Sequence, residues 1–171
     1  MTLSRAGRRT IVIAIAMAVL MGTNAGPVNA GAGVTRIQEA IDTHLAAYPG
    51  GVQINSRELS YAGGSFVITM APGPGTRGAA DCPRGWFCFY EEPGYGYPRG
   101  KLSSCSWQNL AWWGWHNRAD SLHFNAATGG ASFWDVESGR ALRLASVDRE
   151  YRWRSDLGAK GDRADLVLRT C

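Results

Sequence analysis

No stretch of this chain is long and apolar enough to anchor it in a bilayer. The longest unbroken apolar run, Ile11 to Met21, is eleven residues, whereas a bilayer core of roughly 30 Å needs about twenty. Catalytic signatures are just as scarce. There is no G-x-S-x-G elbow, no catalytic Cys/His signature and no phosphate loop. The acidic doublet Glu91-Glu92 diverges on a strand, so no paired acid and base is marked, and no catalytic residue is assigned. Neither CxxC nor a paired HxxxH occurs, and His44, His116 and His123 are scattered, which sets structural zinc aside. Basic excess is also lacking where it matters. Of 18 Lys+Arg against 14 Asp+Glu, three Arg and no acids fall in residues 1–30, leaving fifteen against fourteen beyond them. A nucleic-acid partner calls for a concentrated basic surface, and this balance excludes it.

The first 30 residues read instead as an export signal. Arg5, Arg8 and Arg9 precede the apolar run, and Val28-Asn29-Ala30 offers small residues for cleavage after Ala30, with Ala25 as the alternative. The expectation is a secreted, extracellular chain with no stable membrane insertion once the signal is removed. Four cysteines, Cys82, Cys88, Cys105 and Cys171, fit that setting as two disulfides. Three pairings are possible. The Pro83-Arg84-Gly85 turn between Cys82 and Cys88 favours that pair, which leaves Cys105 with Cys171.

After the signal, Ile37, Ile41, Leu45 and Tyr48 recur at helical spacing, predicting a helix over 35–48 capped by Thr35 with Gln38 and stopped by Pro49-Gly50-Gly51. Leu59 and Tyr61, then Gly63-Gly64, then Phe66, Ile68 and Met70, predict a hairpin on a tight Gly-Gly loop that sets Tyr61 opposite Phe66. Residues 71–81 are a Pro/Gly linker. The domain plan is a signal at 1–30, helix and hairpin at 31–70, this linker, and an all-β domain at 82–171.

That last segment carries an internal echo. Phe89-Tyr90-Glu91 returns 44 residues later as Phe133-Trp134-Asp135, and Asn117-Arg118-Ala119-Asp120 returns 45 residues later as Asp162-Arg163-Ala164-Asp165. Two matches at nearly one spacing imply a duplicated unit. Short apolar runs between turns, at 86–90, 121–125, 131–136, 141–145 and 166–169, predict an antiparallel sandwich.

Trp107, Trp112, Trp113 and Trp115 crowd one short window. Some must fill the core. If the segment is extended, the adjacent Trp112 and Trp113 point to opposite sides, so the window divides between core and recognition. Ser103 to Trp115 is the candidate binding loop, with these four tryptophans as candidate partner-binding residues.

The aromatic strand FCFYEEPGYG followed by a bridging segment and N-R-A-D-S resembles a βγ-crystallin Greek-key motif. C-P-R-G-W-F-C-F-Y with W-Q-N-L and N-R-A-D-S is similar, more closely, to secreted actinobacterial proteins related to the streptomycete metalloproteinase inhibitor. The resemblance spans Cys82 to Cys171 as two Greek keys and is weaker in the second, which lacks cysteines at matching places. It implies an all-β, βγ-crystallin-like double Greek-key sandwich preceded by the helix and hairpin. Within that frame Tyr90 would pack under Gly96, and Trp134 under Gly139. By function it implies a monomeric, non-enzymatic inhibitor of secreted metalloproteases of the thermolysin kind, blocking the substrate cleft with a disulfide-braced loop. Calcium-binding relatives place ligands where this chain has Asn117, Asp120, Ser121, Asp162 and Asp165, although His116 stands at the first position and Asp120 replaces the hydroxyl residue in the first copy, and the second copy loses the first ligand and the final Ser. The plainer reading is that Asn117 and Asp162 cap turns. No cofactor is required by either reading. A calcium-binding structural protein and a cell-wall glycan-binding module remain the alternatives.

Overall fold

The computed structural model describes residues 30–73, 75 and 78–171. The expected signal at 1–30 therefore lies outside the described residues, apart from Ala30. Among the described residues no helix is long and apolar enough to cross a membrane.

One helix, α1 (Ala30–Ala47), precedes β1 (Val52–Asn55), β2 (Glu58–Tyr61) and β3 (Phe66–Thr69). The expected cap is not used: Thr35 lies inside the helix, and its hydroxyl donates back to the Gly31 carbonyl at 3.1 Å. The hairpin register is the expected one, with Tyr61 opposite Phe66 and Leu59 opposite Ile68. Its loop is longer than the Gly-Gly pair: the ladder ends at Tyr61↔Phe66, and Ser65 closes the turn by donating its amide to the Ala62 carbonyl at 3.3 Å. Ala62, Gly63 and Gly64 all take positive φ.

Eight further strands follow: β4 (Phe87–Glu92), β5 (Gly96–Leu102), β6 (Ser106–Asn109), β7 (Ser121–Phe124), β8 (Gly130–Glu137), β9 (Arg140–Asp148), β10 (Trp153–Arg154) and β11 (Leu166–Thr170). They form two antiparallel sheets ordered β1-β2-β3-β5-β4-β7-β10 and β6-β11-β8-β9. The fold is all-β with one N-terminal helix and hairpin. Within 82–171 the strands fall into two sets of four, each keeping three strands in one sheet. The first set, β4 to β7, lends its third strand, β6, to the second sheet. The second set, β8 to β11, lends its third strand, β10, to the first.

The hairpin is part of this arrangement. β3 pairs with β5 from Phe66↔Leu102 to Thr69↔Arg99, so residues on both sides of the linker share one sheet. The reason is apolar burial. Phe66 stacks on Trp113 with centroids 4.2 Å apart and on Phe89 at 5.9 Å. Phe89 meets Phe133 edge-on at 5.3 Å, joining the inner faces of the two sheets. Ile41 of α1, Leu59, Phe66, Phe89, Phe133 and Val167 are all fully buried in this one cluster.

β4 reads FCFY rather than alternating because both its faces are covered. Phe87 and Phe89 enter the main core, while Cys88 and Tyr90 lie under a second cluster with Cys82, Trp86, Tyr95 and Tyr97. Asp81, at the end of the linker, completes that cover. It pairs with Arg99 at 2.8 Å and accepts from the Tyr90 hydroxyl at 3.1 Å and from Tyr97. Burial, then the Asp81 charge, pushes the Tyr90 hydroxyl far above its ordinary range.

The glycine–aromatic pairing differs from expectation. The close approach is Gly100 over Phe89, where an added Cβ would sit 2.4 Å from the ring. Gly96 instead approaches Glu92, and Gly139 has open space with φ +77 in its turn. Tyr90 packs edge-on against Tyr95 and Tyr97.

α1 docks through His44, whose Nε2 lies 3.0 Å from the Trp113 carbonyl oxygen to which it donates. Burial, and then the nearby Arg118, hold its pKa below the usual value, against the opposing pull of that hydrogen bond. His123 is lowered too, again chiefly by burial.

Two outcomes follow. Gly100→Ala should cost about 1–3 kcal/mol of stability, read by urea denaturation, because Phe89 has no free volume to retreat into. Acid should also loosen the fold. The unfolded histidines take up protons near pH ~6.5 while the folded ones resist. Stability from His44 and His123 is therefore full above that pH. It declines as pH falls through the lowered folded values, and thermal melts between neutral and mildly acid pH should show it. His44→Gln should flatten that decline.

Candidate functional site

The segment Ser103–Trp115 is held at both ends and along its back. Cys105 is bonded to Cys171, with Cα atoms 5.9 Å apart, and Cys82 to Cys88, with Cα atoms 5.6 Å apart, as the sequence predicts. β6, not foreseen as a strand, pairs with β11 from Ser106↔Arg169 to Asn109↔Leu166. The Asn109 side chain then accepts from the Ala111 amide at 2.9 Å and starts a 3-10 turn over Leu110–Trp113.

That turn is clamped from behind. His44 takes the Trp113 carbonyl, and Arg118 donates to the Gly114 carbonyl at 2.8 Å while pairing with Glu91 at 2.6 Å. Arg118 also lies over the Trp115 ring, 5.0 Å from its centroid. Gly114 is needed there. It has φ +66, and a Cβ would fall 2.3 Å from the Tyr48 ring at the end of α1.

The four candidate tryptophans separate cleanly. Trp113 and Trp115 are core residues, 5% and 0% exposed, whereas Trp107 is 48% and Trp112 63% exposed. Trp112 and Trp113 are split by the 3-10 turn rather than by strand alternation, and their rings meet edge-on at 6.3 Å. Trp107 lies beside Trp134, 5.5 Å between centroids. Trp134 donates from its indole nitrogen to Ser132 at 2.9 Å. The pairing of Trp107 with an aromatic of the second repeat had no sequence signal, because it depends on β6 crossing to the other sheet.

Of the five candidate calcium ligands, Asn117 lies with Asp165 and Asp120 with Asp162, each pair drawn from both repeats. Asp165 is engaged by His116 and by the Val136 amide, which donates at 2.6 Å. Asn117 lies beside Arg163 and Asp165. Ser121 is fully buried, donating to the Glu92 carbonyl at 2.8 Å and accepting from the Tyr95 amide at 3.1 Å. Asp120 lies against Gly161, next to Asp162, raised in pKa by burial and then by the carboxylates of Asp162, Asp156 and Glu92. Among the described residues no group of three or more His, Cys, Asp or Glu converges as a metal site. This geometry does not gather the calcium set that the resemblance implies, since no three of its acidic groups converge among the described residues and the Ser121 hydroxyl is buried between Glu92 and Tyr95.

The expected side-chain caps at Asn117 and Asp162 are replaced by bonds from their backbones. Both take positive φ, +54 and +51. The Asn117 amide donates to the Ala164 carbonyl at 2.9 Å, and the Asp162 amide donates to the Ala119 carbonyl at 3.2 Å. The repeated motifs thus grip each other.

Searches of curated proteins and of solved structures return no match. The two disulfides fit an extracellular protein, and the match to a peptidase-inhibitor family, at residues 75–137, fits it too and supports an inhibitory role with a peptidase as partner. Residues 75–137, which include the whole of the clamped segment, match the sequence model of peptidase inhibitor family I36, the relation that the CPRGWFCFY, WQNL and NRADS motifs imply.

Proposed function

We propose that the protein is a secreted inhibitor of metallopeptidases of the thermolysin type, acting as a monomer, catalysing nothing itself, and occupying the substrate cleft with Ser103–Trp115. The observation that carries this reading is the clamped segment. Two large aromatic side chains, Trp107 and Trp112, stand in solvent on a backbone fixed by a disulfide, an Asn cap, His44 and Arg118. A loop already rigid loses little conformational freedom on binding, and it resists the distortion that cleavage demands. Exposed tryptophans supply the contact area typical of binding hot spots.

Steady-state inhibition assays with thermolysin and a panel of secreted metallopeptidases test the proposal. Inhibition at or below micromolar concentration is expected. Its absence across the panel, with retention on insoluble cell wall, would transfer the exposed tryptophans to a glycan-binding role.

Substitutions then separate surface from core. Trp112→Ala should weaken inhibition by about thirtyfold, on the order of 2 kcal/mol, with the melting midpoint almost unmoved. Trp113→Ala should instead cost about 3–5 kcal/mol of stability, because its ring stacks on Phe66 inside the core.

A further inference from the structure

Four strands end the two sheets: β1 and β10 in the first, β6 and β9 in the second. An edge strand leaves alternate amides and carbonyls unpaired, and soluble proteins commonly guard such edges with charge, irregularity or brevity. β9 carries Arg140, Arg143 and Asp148 and faces a register shift at Phe133/Trp134. β10 is two residues long and ends in Arg154. β1 has a register shift between Gln53 and Asn55, and its Gln53 amide is bonded to Gln38 of α1 at 3.0 Å.

β6 is short, and Ser106 at its start takes φ +88, but it carries neither charge nor a register shift. Its pairing with β11 is regular over all four residues. No Asp, Glu, Lys or Arg occurs from Leu102 through Asn117. Ser106 and Trp107 are exposed. Of the four edges, β6 alone falls inside residues 75–137, the portion related to peptidase inhibitors.

We infer that the open edge of β6 is a strand-addition surface, on which a metallopeptidase lays an extended strand of its own cleft antiparallel to Ser106–Asn109. This rests on the inhibitor reading above and gives that reading a binding mode. Main-chain hydrogen bonds along the edge supply the attachment, and side chains on either face of the strand supply selectivity. Trp107 projects on one face with Trp134 beside it. The contact is short by construction. Cys105 is pinned to Cys171 at one end, and the Asn109 cap turns the chain away at the other. An uncharged edge suits an extended partner backbone whose neighbouring pockets are apolar, since no charge has to be stripped of water on docking.

Backbone amide exchange of the secreted chain, alone and with thermolysin as the probe, tests this alongside the inhibition assay. Inhibition accompanied by new protection at amides of 106–109 is the expected result. Inhibition with protection elsewhere would keep the inhibitor reading and overturn the edge. Neither inhibition nor protection would overturn both. Protection of 106–109 that grows with the concentration of the chain alone would overturn the proposal in favour of self-pairing. As a second readout, Ser106→Lys places a guard on the edge and should weaken inhibition by about tenfold or more with an unchanged melting midpoint. Full inhibition by a correctly folded Ser106→Lys variant would also overturn the edge.

Discussion

The structure depends on a reciprocal handshake between its two repeats. Asn117 gives its amide to the carbonyl of Ala164, and Asp162 gives its amide to the carbonyl of Ala119. Each turn also returns to its own repeat by the same route. The Asp120 amide donates to Tyr90 and the Asp165 amide to Trp134, both at 2.9 Å. Arg118 pairs with Glu91 and Arg163 with Asp135, each at 2.6 Å. Ala119 and Ala164, buried at 0% and 1% exposure, leave no room for a larger side chain between the two turns. An ion pair at the surface contributes little stability by itself. The matched pairs serve geometry, fixing which carbonyl each turn presents to the other.

Because the repeats lock together this way, each lends its third strand across the gap. That exchange puts β6 at a sheet edge, with its attachment in the other repeat. The same logic recruits the N-terminal elements. Phe66 fills the space over Phe89 and Trp113, and β3 covers the edge that β5 would otherwise expose. Charge is handled inside the sheet. Arg99, nearly buried, reaches Asp81 at 2.8 Å and Thr69 at 3.1 Å, while Glu58 receives Lys101 at 2.8 Å. The polar side chains of β2, β3 and β5 thus engage one another where the hairpin meets the linker, although the buried Arg99 Nε has no partner among the described residues.

Much of this was legible in the residues. The spacing of Phe89-Tyr90-Glu91 and Phe133-Trp134-Asp135 located two equivalent strands, and Leu59, Tyr61, Phe66 and Ile68 set a hairpin register. The disulfides followed from a turn and from what remained. Less local facts were not written in any window. Ser106–Asn109 reads Ser-Trp-Gln-Asn, with no alternation and no β-branched residue, and it becomes a strand because β11 offers it a partner. Thr35 and Gln38 satisfy a capping pattern, yet the helix extends past them to Ala30. Likewise the division of the four tryptophans depends on where α1 lands. Tyr48 and His44 close over Gly114 and the Trp113 carbonyl, which turns Trp113 inward and leaves Trp112 outside.

The bond between Cys105 and Cys171 has a further consequence when a peptidase cuts the chain. It joins Cys171, just past β11, to Cys105, just before β6, across 66 residues of sequence. A single nick anywhere in that span leaves two polypeptides still tethered, with β8, β9 and β11 pinned in their sheet. Damage of this kind is stored in the molecule without dispersing it, and the protein can be cut and remain in one piece.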